Sequence, residues 1–300
     1  MEQILAGYSQ TIADLVGQAG RWAVAVEARH RMGSSGILWK PDVIVTADHA
    51  IRRDQEIPVT LPDGNRVTAD VAGRDPGTDL AVLRLKTPAV ASGELATSSV
   101  LPRTGEIVIA VGRHQPGLLA LTGIVSTAGG PWKTWRGGHI DSLLRLDVAA
   151  YARSSGSAVI DSAGNFIGML TGGLTRTAPL AIPVATIERV ASELIAHGRI
   201  ARGYLGVGLQ QIPLPEAFAK ALNREQRTAV IVLSVEPGGP ADTAGIVLGD
   251  VIAGIAGHPV TDLDDVQSAL RGSIGRELSV MVVRGGVASE LRATIAERRQ

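Results

Sequence analysis

From Trp22 to Leu170 the chain is a succession of short β-branched runs separated by turn residues, recurring at about ten-residue spacing with no helical period between them. The runs are Trp22–Val26, Val43–Thr46, Ile57–Leu61, Val67–Val71, Leu80–Leu85, Ile107–Val111, Gly123–Thr127, Leu143–Val148, Ala158–Ile160 and Phe166–Leu170, with Asp63-Gly64 as a hairpin signal. Such a pattern predicts a barrel or sandwich. Aromatic residues are only 3% of the chain and apolar residues 45%, so the core must be Val, Ile, Leu and Ala. An amphipathic helix is predicted over 3–19, where Ile4, Leu5, Tyr8, Ile12, Leu15 and Val16 share a stripe. A second helix is predicted at Val184–His197. After the basic turn Gly198–Gly203 the texture becomes α+β. Strands are expected at Gly206–Gln211, Ala229–Val235, Val251–Ile255 and Leu278–Val283, and helices at Pro240–Ala244 and Asp262–Arg271, the latter capped by Thr261 or Asp262. The expected organisation is a helix over 1–20, a β domain over 21–197 and a smaller domain over 198–300.

The composition closes off several function classes. Lys plus Arg and Asp plus Glu both number 29, which argues against a nucleic-acid partner. The absence of cysteine removes disulfides, thiolate metal sites and cysteine nucleophiles. No apolar run reaches the ~18 residues of a membrane span, and Met1–Leu5 lacks a signal-peptide pattern. The chain as written is therefore expected in the cytoplasm, or in the periplasm or cell envelope if an export signal is missing from it.

One constellation carries chemistry. His49 follows the apolar strand Val43-Ile44-Val45-Thr46, Asp79 ends the turn Asp75-Pro76-Gly77-Thr78-Asp79, and Ser155 lies in the small-residue turn Ser154-Ser155-Gly156-Ser157. Acyl transfer needs a hydroxyl nucleophile, an imidazole to take its proton and a carboxylate to fix the imidazole tautomer. The order His, Asp, Ser is that of the chymotrypsin type.

The segments around these residues resemble the HtrA/Deg serine proteases. Ile44-Val45-Thr46-Ala47-Asp48-His49-Ala50 is similar to the family's histidine strand, and Asp75-Pro76-Gly77-Thr78-Asp79-Leu80-Ala81-Val82-Leu83 to its aspartate motif. Thr122-Gly123-Ile124-Val125-Ser126, Asp147-Val148-Ala149, Gly164-Asn165-Phe166-Ile167-Gly168 and Ala181-Ile182-Pro183 match further landmarks. The second half resembles a PDZ domain in Arg202-Gly203-Tyr204-Leu205-Gly206-Val207, in Gly238–Ile246 and in Leu248-Gly249-Asp250-Val251-Ile252. The resemblance implies a mainly β fold, a trypsin-like double β-barrel followed by an α+β PDZ domain. It also implies a serine endopeptidase of unfolded or exposed polypeptide, with no cofactor and no metal, assembled as a homotrimer. Tyr204, Leu205, Gly206 and Val207 would receive a peptide with an apolar C-terminus, with Val266 and Leu270 lining the groove.

The nucleophile segment departs from the family pattern. That motif reads Gly-Asn-Ser-Gly-Gly-Pro, whereas this chain has Arg153-Ser154-Ser155-Gly156-Ser157-Ala158. The backbone N–H groups of Arg153 and Ser155 are the implied oxyanion hole, and a glycine at the first position allows backbone that costs other residues roughly 1–2 kcal/mol. Two readings stay open: an active enzyme whose oxyanion hole forms only after rearrangement, or an inactive protease-fold scaffold or chaperone whose PDZ domain binds peptides. Asp48 is expected to be a solvated carboxylate. His30, His114, His139, His197 and His258 show no metal-ligand spacing. Trp132 and Trp135 lie in a glycine-bounded loop and are equally placed to make contacts or to pack on their own barrel.

Overall fold

The computed structural model describes residues 2–29, 33–89, 95–98, 100–114, 117–175, 177–201, 203–214 and 226–297. Two compact units are present, Met1–Ile200 and Ala201–Gln300. His30, Arg202 and the C-terminal Arg298-Arg299 lie outside the described residues.

The first unit contains two closed six-stranded barrels. One is made of β1 (Ala23–Val26), β2 (Ser34–Lys40), β3 (Val43–Ala47), β4 (Ile57–Thr60), β5 (Arg66–Asp75) and β6 (Leu80–Leu85). Strands β1 and β3 are buried along their whole length, with one face filling the barrel and the other turned to the second barrel, whereas β5 is half-buried at most positions. Ile44, Leu83, Ile57 and Val59 lie in the interior, while Ile37, Val45 and Val82 join the core that extends to Phe166, Met169 and Ile182. The second barrel uses β7 (Ile107–His114), β8 (Gly117–Gly129), β11 (Leu143–Asp147), β12 (Ala158–Asp161), β13 (Phe166–Thr171) and β14 (Leu180–Pro183). Between β8 and β11 a short pair forms from β9 (Trp132–Lys133) and β10 (His139–Ile140). Trp39 meets Phe166 edge-on with ring centroids 6.0 Å apart, an aromatic contact across the barrel junction.

Two helices accompany the barrels. Helix α1 (Glu2–Ala19) lays Ile12, Leu15, Val16 and Ala19 on Ile109, Val111 and Ile160 of the second barrel. Ile4, Leu5 and Tyr8 of the same stripe are exposed. Helix α2 (Val184–His197) buries Ile187, Val190, Ala191 and Leu194 in the junction core and ends on Gly198 in the left-handed region.

The second unit has its own core, built on Leu205, Val230, Ile252, Val266, Leu270, Val280 and Ile295. Its strands are β15 (Gly203–Tyr204), β16 (Val207–Pro213), β17 (Thr228–Val235), β18 (Val251–Ile255), β19 (His258–Pro259), β20 (Glu277–Arg284), β21 (Val287–Thr294) and β22 (Ala296–Glu297). The main sheet runs β16-β17-β18-β20-β21, so β16 is an edge strand, and β15 pairs with β22. Helices Pro240–Thr243 and Leu263–Leu270 pack with it. Asp262 caps the second helix, its carboxylate accepting the Asp265 N–H at 2.9 Å.

Candidate active site

The turn that carries Asp79 is built by its own motif. Asp75 accepts the Gly77 N–H at 3.1 Å and the Thr78 hydroxyl at 2.7 Å. This buried Asx-type turn delivers Asp79 between β5 and β6 at a positive φ of 57°, a conformation that Asp tolerates better than most residues. His49 sits on a one-turn 3-10 helix, Asp48–Ala50, that follows β3. Its Nδ1 lies 2.7 Å from Asp79 Oδ2, and its own N–H donates to Asp79 Oδ1 at 2.9 Å. The Asp79 side chain is 1% exposed and that of His49 29%, so the imidazole edge faces out while its carboxylate is sealed in. Thr171, at the end of β13, donates its hydroxyl to Asp79 Oδ2.

Ser155 lies in the loop between β11 and β12, buried at the barrel junction. The Ser155 carbonyl accepts the Ser35 N–H at 3.0 Å, and the Gly156 N–H donates to the Leu170 carbonyl at 2.9 Å. Leu170 precedes Thr171, so one strand end ties the serine loop to the His49–Asp79 pair. Gly156 has φ +87°, and a Cβ there would stand 2.0 Å from the Ser35 carbonyl oxygen, so only glycine fits. Among the described residues no hydrogen bond joins Ser155 Oγ to His49.

The segment just before Ser155 forms a β-turn, Tyr151–Ser154, closed by the Ser154 N–H to the Tyr151 carbonyl at 2.8 Å. The Ser154 side chain doubles the closure, donating to the Tyr151 carbonyl at 2.7 Å and accepting its N–H at 3.0 Å. Arg153 occupies the third position of this turn. A type II turn needs positive φ there, which is why glycine favours it. The described non-glycine residues at positive φ are Glu56, Asp79 and Ala256, so Arg153 is not in a type II turn. Types I and II differ by a flip of the central peptide, here Ala152–Arg153, and send the Arg153 N–H to opposite sides of the loop. The Arg153 guanidinium donates to His114 Nε2 at the end of β7.

Three residues that sequence reasoning did not single out complete the site: Thr171, Gly173 and Arg74. A Cβ on Gly173 would fall 2.4 Å from His49 Nδ1. Asp48 is not the solvated carboxylate expected. It is buried, with Arg74 Nε at 2.6 Å from Oδ1 and Arg74 also reaching the Asp48 and Ile51 carbonyls. Burial pushes the Asp48 carboxyl above its ordinary range, and the Arg74 contacts offset this only in part. The two tryptophans divide. Trp132 packs against the junction core, whereas Trp135 is 76% exposed under a stacked Arg136. Their loop docks on the aspartate turn, where the Thr134 hydroxyl donates to the Gly77 carbonyl at 2.7 Å.

In the second unit Gly206 adopts φ +81°, and the Gly206 and Leu205 carbonyls accept from Glu236 and Ala241, each at 2.8 Å. Among the described residues the Leu205 and Gly206 N–H groups have no partner, and they adjoin the open edge of β16. Leu205, Val266 and Leu270 are buried in the core with Val207 packed against them. The Tyr204 hydroxyl donates to Glu236.

Comparison with known proteins agrees with this architecture. Residues 34–169 match the trypsin-like peptidase domain and residues 231–284 the PDZ domain. A probable periplasmic serine endoprotease, DegP-like, of Brucella suis biovar 1 (strain 1330) is 33% identical over 277 residues, covering 88% of this chain and 52% of its own length. Serine endoprotease DegS of Escherichia coli (strain K12) is 30% identical over 283 residues, covering 89% of this chain and 77% of its own. The structure of the HtrA-type protease AlgW with a decapeptide superposes with a TM-score of 0.77 at 26% identity, over 96% of this chain and 99% of that one. The chain thus spans about half the length of the DegP-like relatives it matches. Their names overturn the cytoplasmic expectation, which leaned on the residues at the start of the sequence, and a start point does not report what precedes it. No helix among the described residues is long and apolar enough to cross a membrane.

Proposed function

The chain belongs to the HtrA/Deg family of serine endoproteases with a PDZ domain, and on that premise we propose that it hydrolyses unfolded or exposed polypeptide through Ser155, His49 and Asp79. The observation that carries this reading is the buried Asp79 holding His49 Nδ1 at 2.7 Å. With Nδ1–H donating to the carboxylate, Nε2 is left as the base that takes the Ser155 proton and later returns it to the leaving amine. Asp79 then stabilises the imidazolium, and its own position is held by Thr171. The oxyanion would be received by the N–H groups of Arg153 and Ser155. Because the 151–154 turn is not type II, the Arg153 N–H reaches that position only after the peptide flips, so basal turnover is low. A missing oxyanion donor typically costs about 10²–10³ in kcat.

In the PDZ domain, the adjacent N–H groups of Leu205 and Gly206 form an anion-binding concavity for a C-terminal carboxylate. The peptide would add to β16 as a further strand, with Val207, Val266 and Leu270 receiving its apolar side chains from beside Tyr204. The family resemblance implies a homotrimer built on the protease domains, in which the exposed part of the α1 stripe, Ile4, Leu5 and Tyr8, would take part. Unchanged sedimentation of Tyr8→Ala would remove that residue from the interface. The names of the relatives support a periplasmic setting for the working enzyme.

The deciding experiment is degradation of an unfolded model protein by the wild type and by Ser155→Ala. Slow cleavage that disappears in Ser155→Ala is expected. No cleavage by the wild type even after Arg153→Gly would leave only the peptide-binding scaffold.

A further inference from the structure

The side chain that replaces the motif glycine is anchored. Arg153 donates from its guanidinium to His114 Nε2, and His114 is the last residue of β7. The residue before it is stitched to the serine loop by a second route. The Arg113 N–H donates to Ser35 Oγ at 3.1 Å, and the Ser35 N–H donates to the Ser155 carbonyl at 3.0 Å. Strand β7 thus reaches both ends of the segment 153–155, one directly through the His114 and Arg153 side chains and the other by way of Ser35 in β2. The 151–154 turn between them is the kind an L-residue accepts without positive φ.

Resting on the peptidase reading above, we propose that His114 is a positioning residue for the oxyanion loop, acting through Arg153. The guanidinium tethered to β7 holds the Ala152–Arg153 peptide on the side away from the flipped, type II orientation. Two effects then keep the loop at rest: the cost of positive φ at a residue with a Cβ, and the charge-assisted hydrogen bond to His114 that the flip must strain. The bond requires an unprotonated Nε2 as acceptor, so the His114 proton resides on Nδ1.

The test is a double-mutant cycle on the full chain, reading kcat and KM for an unfolded protein substrate. His114→Ala is expected to raise kcat about threefold to tenfold with KM changed less than about twofold, since the oxyanion donors act on the transition state. His114→Gln, whose amide oxygen can accept in place of Nε2, is expected to stay near the wild type. Arg153→Gly is expected to raise kcat about tenfold or more. Adding His114→Ala to it should change kcat by less than about twofold, because the anchored side chain is gone. A His114→Ala variant with unchanged or lower kcat, or with the same gain in both backgrounds, overturns the proposal. Damage to the barrel cannot mimic a gain that Gln reverses.

The imidazole tautomer, read by two-bond proton–nitrogen spectra, separates this inference from the peptidase reading. An Nδ1–H tautomer in the wild type that is lost in Arg153→Gly supports the anchor even where no variant cleaves, a result that sinks the peptidase reading alone. An Nε2–H tautomer in the wild type overturns the anchor even with Ser155 fully active.

Discussion

A methyl group at Gly173 would come within 2.4 Å of His49 Nδ1 and 2.5 Å of Asp79 Oδ2, so the hydrogen bond at the centre of the site depends on a side chain that is not there. Gly173→Ala is expected to lower kcat by about 10²-fold or more with the fold retained, because losing the orienting contact alone can cost about 10⁴ in such triads. Peptide hydrolysis beside a far-ultraviolet spectrum checks it. Two buried carboxylates respond oppositely to their surroundings. In Asp250 burial pushes the carboxyl up, but the two-pronged Arg284 contact, at 2.8 Å on each oxygen, and the Val247 N–H outweigh it and hold it below the usual range. The unfolded chain then takes up the proton first as pH falls. The stability from this pair is complete above the ordinary carboxylate value of about 4 and is lost as pH drops towards the depressed one. Urea titrations between about pH 2 and 5 should show that slope, and Arg284→Met should flatten it. For Asp48, raised by burial, the sign reverses: its cost to the folded state is present at neutral pH and fades as the pH falls through the raised value.

At the scale of elements, β-branched runs were legible and small-residue strands were not. Leu80–Leu85 and Val251–Ile255 match their expected spans, and Val184–His197 is the helix its periodicity indicates. The strand β2 escaped because Ser34-Ser35-Gly36 lacks strand propensity. The structure needs it small: a Cβ on Gly36 would meet Ile44 at 2.8 Å and Val26 at 3.0 Å. The strand β21 escaped for the opposite reason, being a polar edge strand that, among the described residues, pairs only with β20. The same limit applies to the site. Motifs local in sequence pointed to His49, Asp79 and Ser155, of which the structure hydrogen-bonds His49 to Asp79, whereas Thr171 reaches Asp79 across 92 residues and carries no local signal. The Asp262 cap was legible as one of two candidates. Asp262→Ala is expected to cost the second unit about 1 kcal/mol, readable as a lowered Tm of that unit.

At the scale of the molecule, each unit closes its own core. The clusters around Ile252 and Val283 draw only on residues after Ile200. A fragment of residues 201–300 is therefore expected to unfold cooperatively on its own, in a single denaturant transition with dispersed amide resonances. Glycine, abundant in the sequence, is accounted for mostly by turns at this scale, while position 153 carries arginine where the family motif has glycine. The turn at 151–154 also sets how far the molecule can be switched. An effector that favours the flipped peptide can raise turnover at most by the inverse of the resting population of that state. The conformational cost at Arg153 corresponds to a resting fraction of roughly 3–20% before the His114 anchor is counted. Under the proposed flip the substitution would trade standing activity for dynamic range: a chain with glycine there would idle faster and have less left to gain.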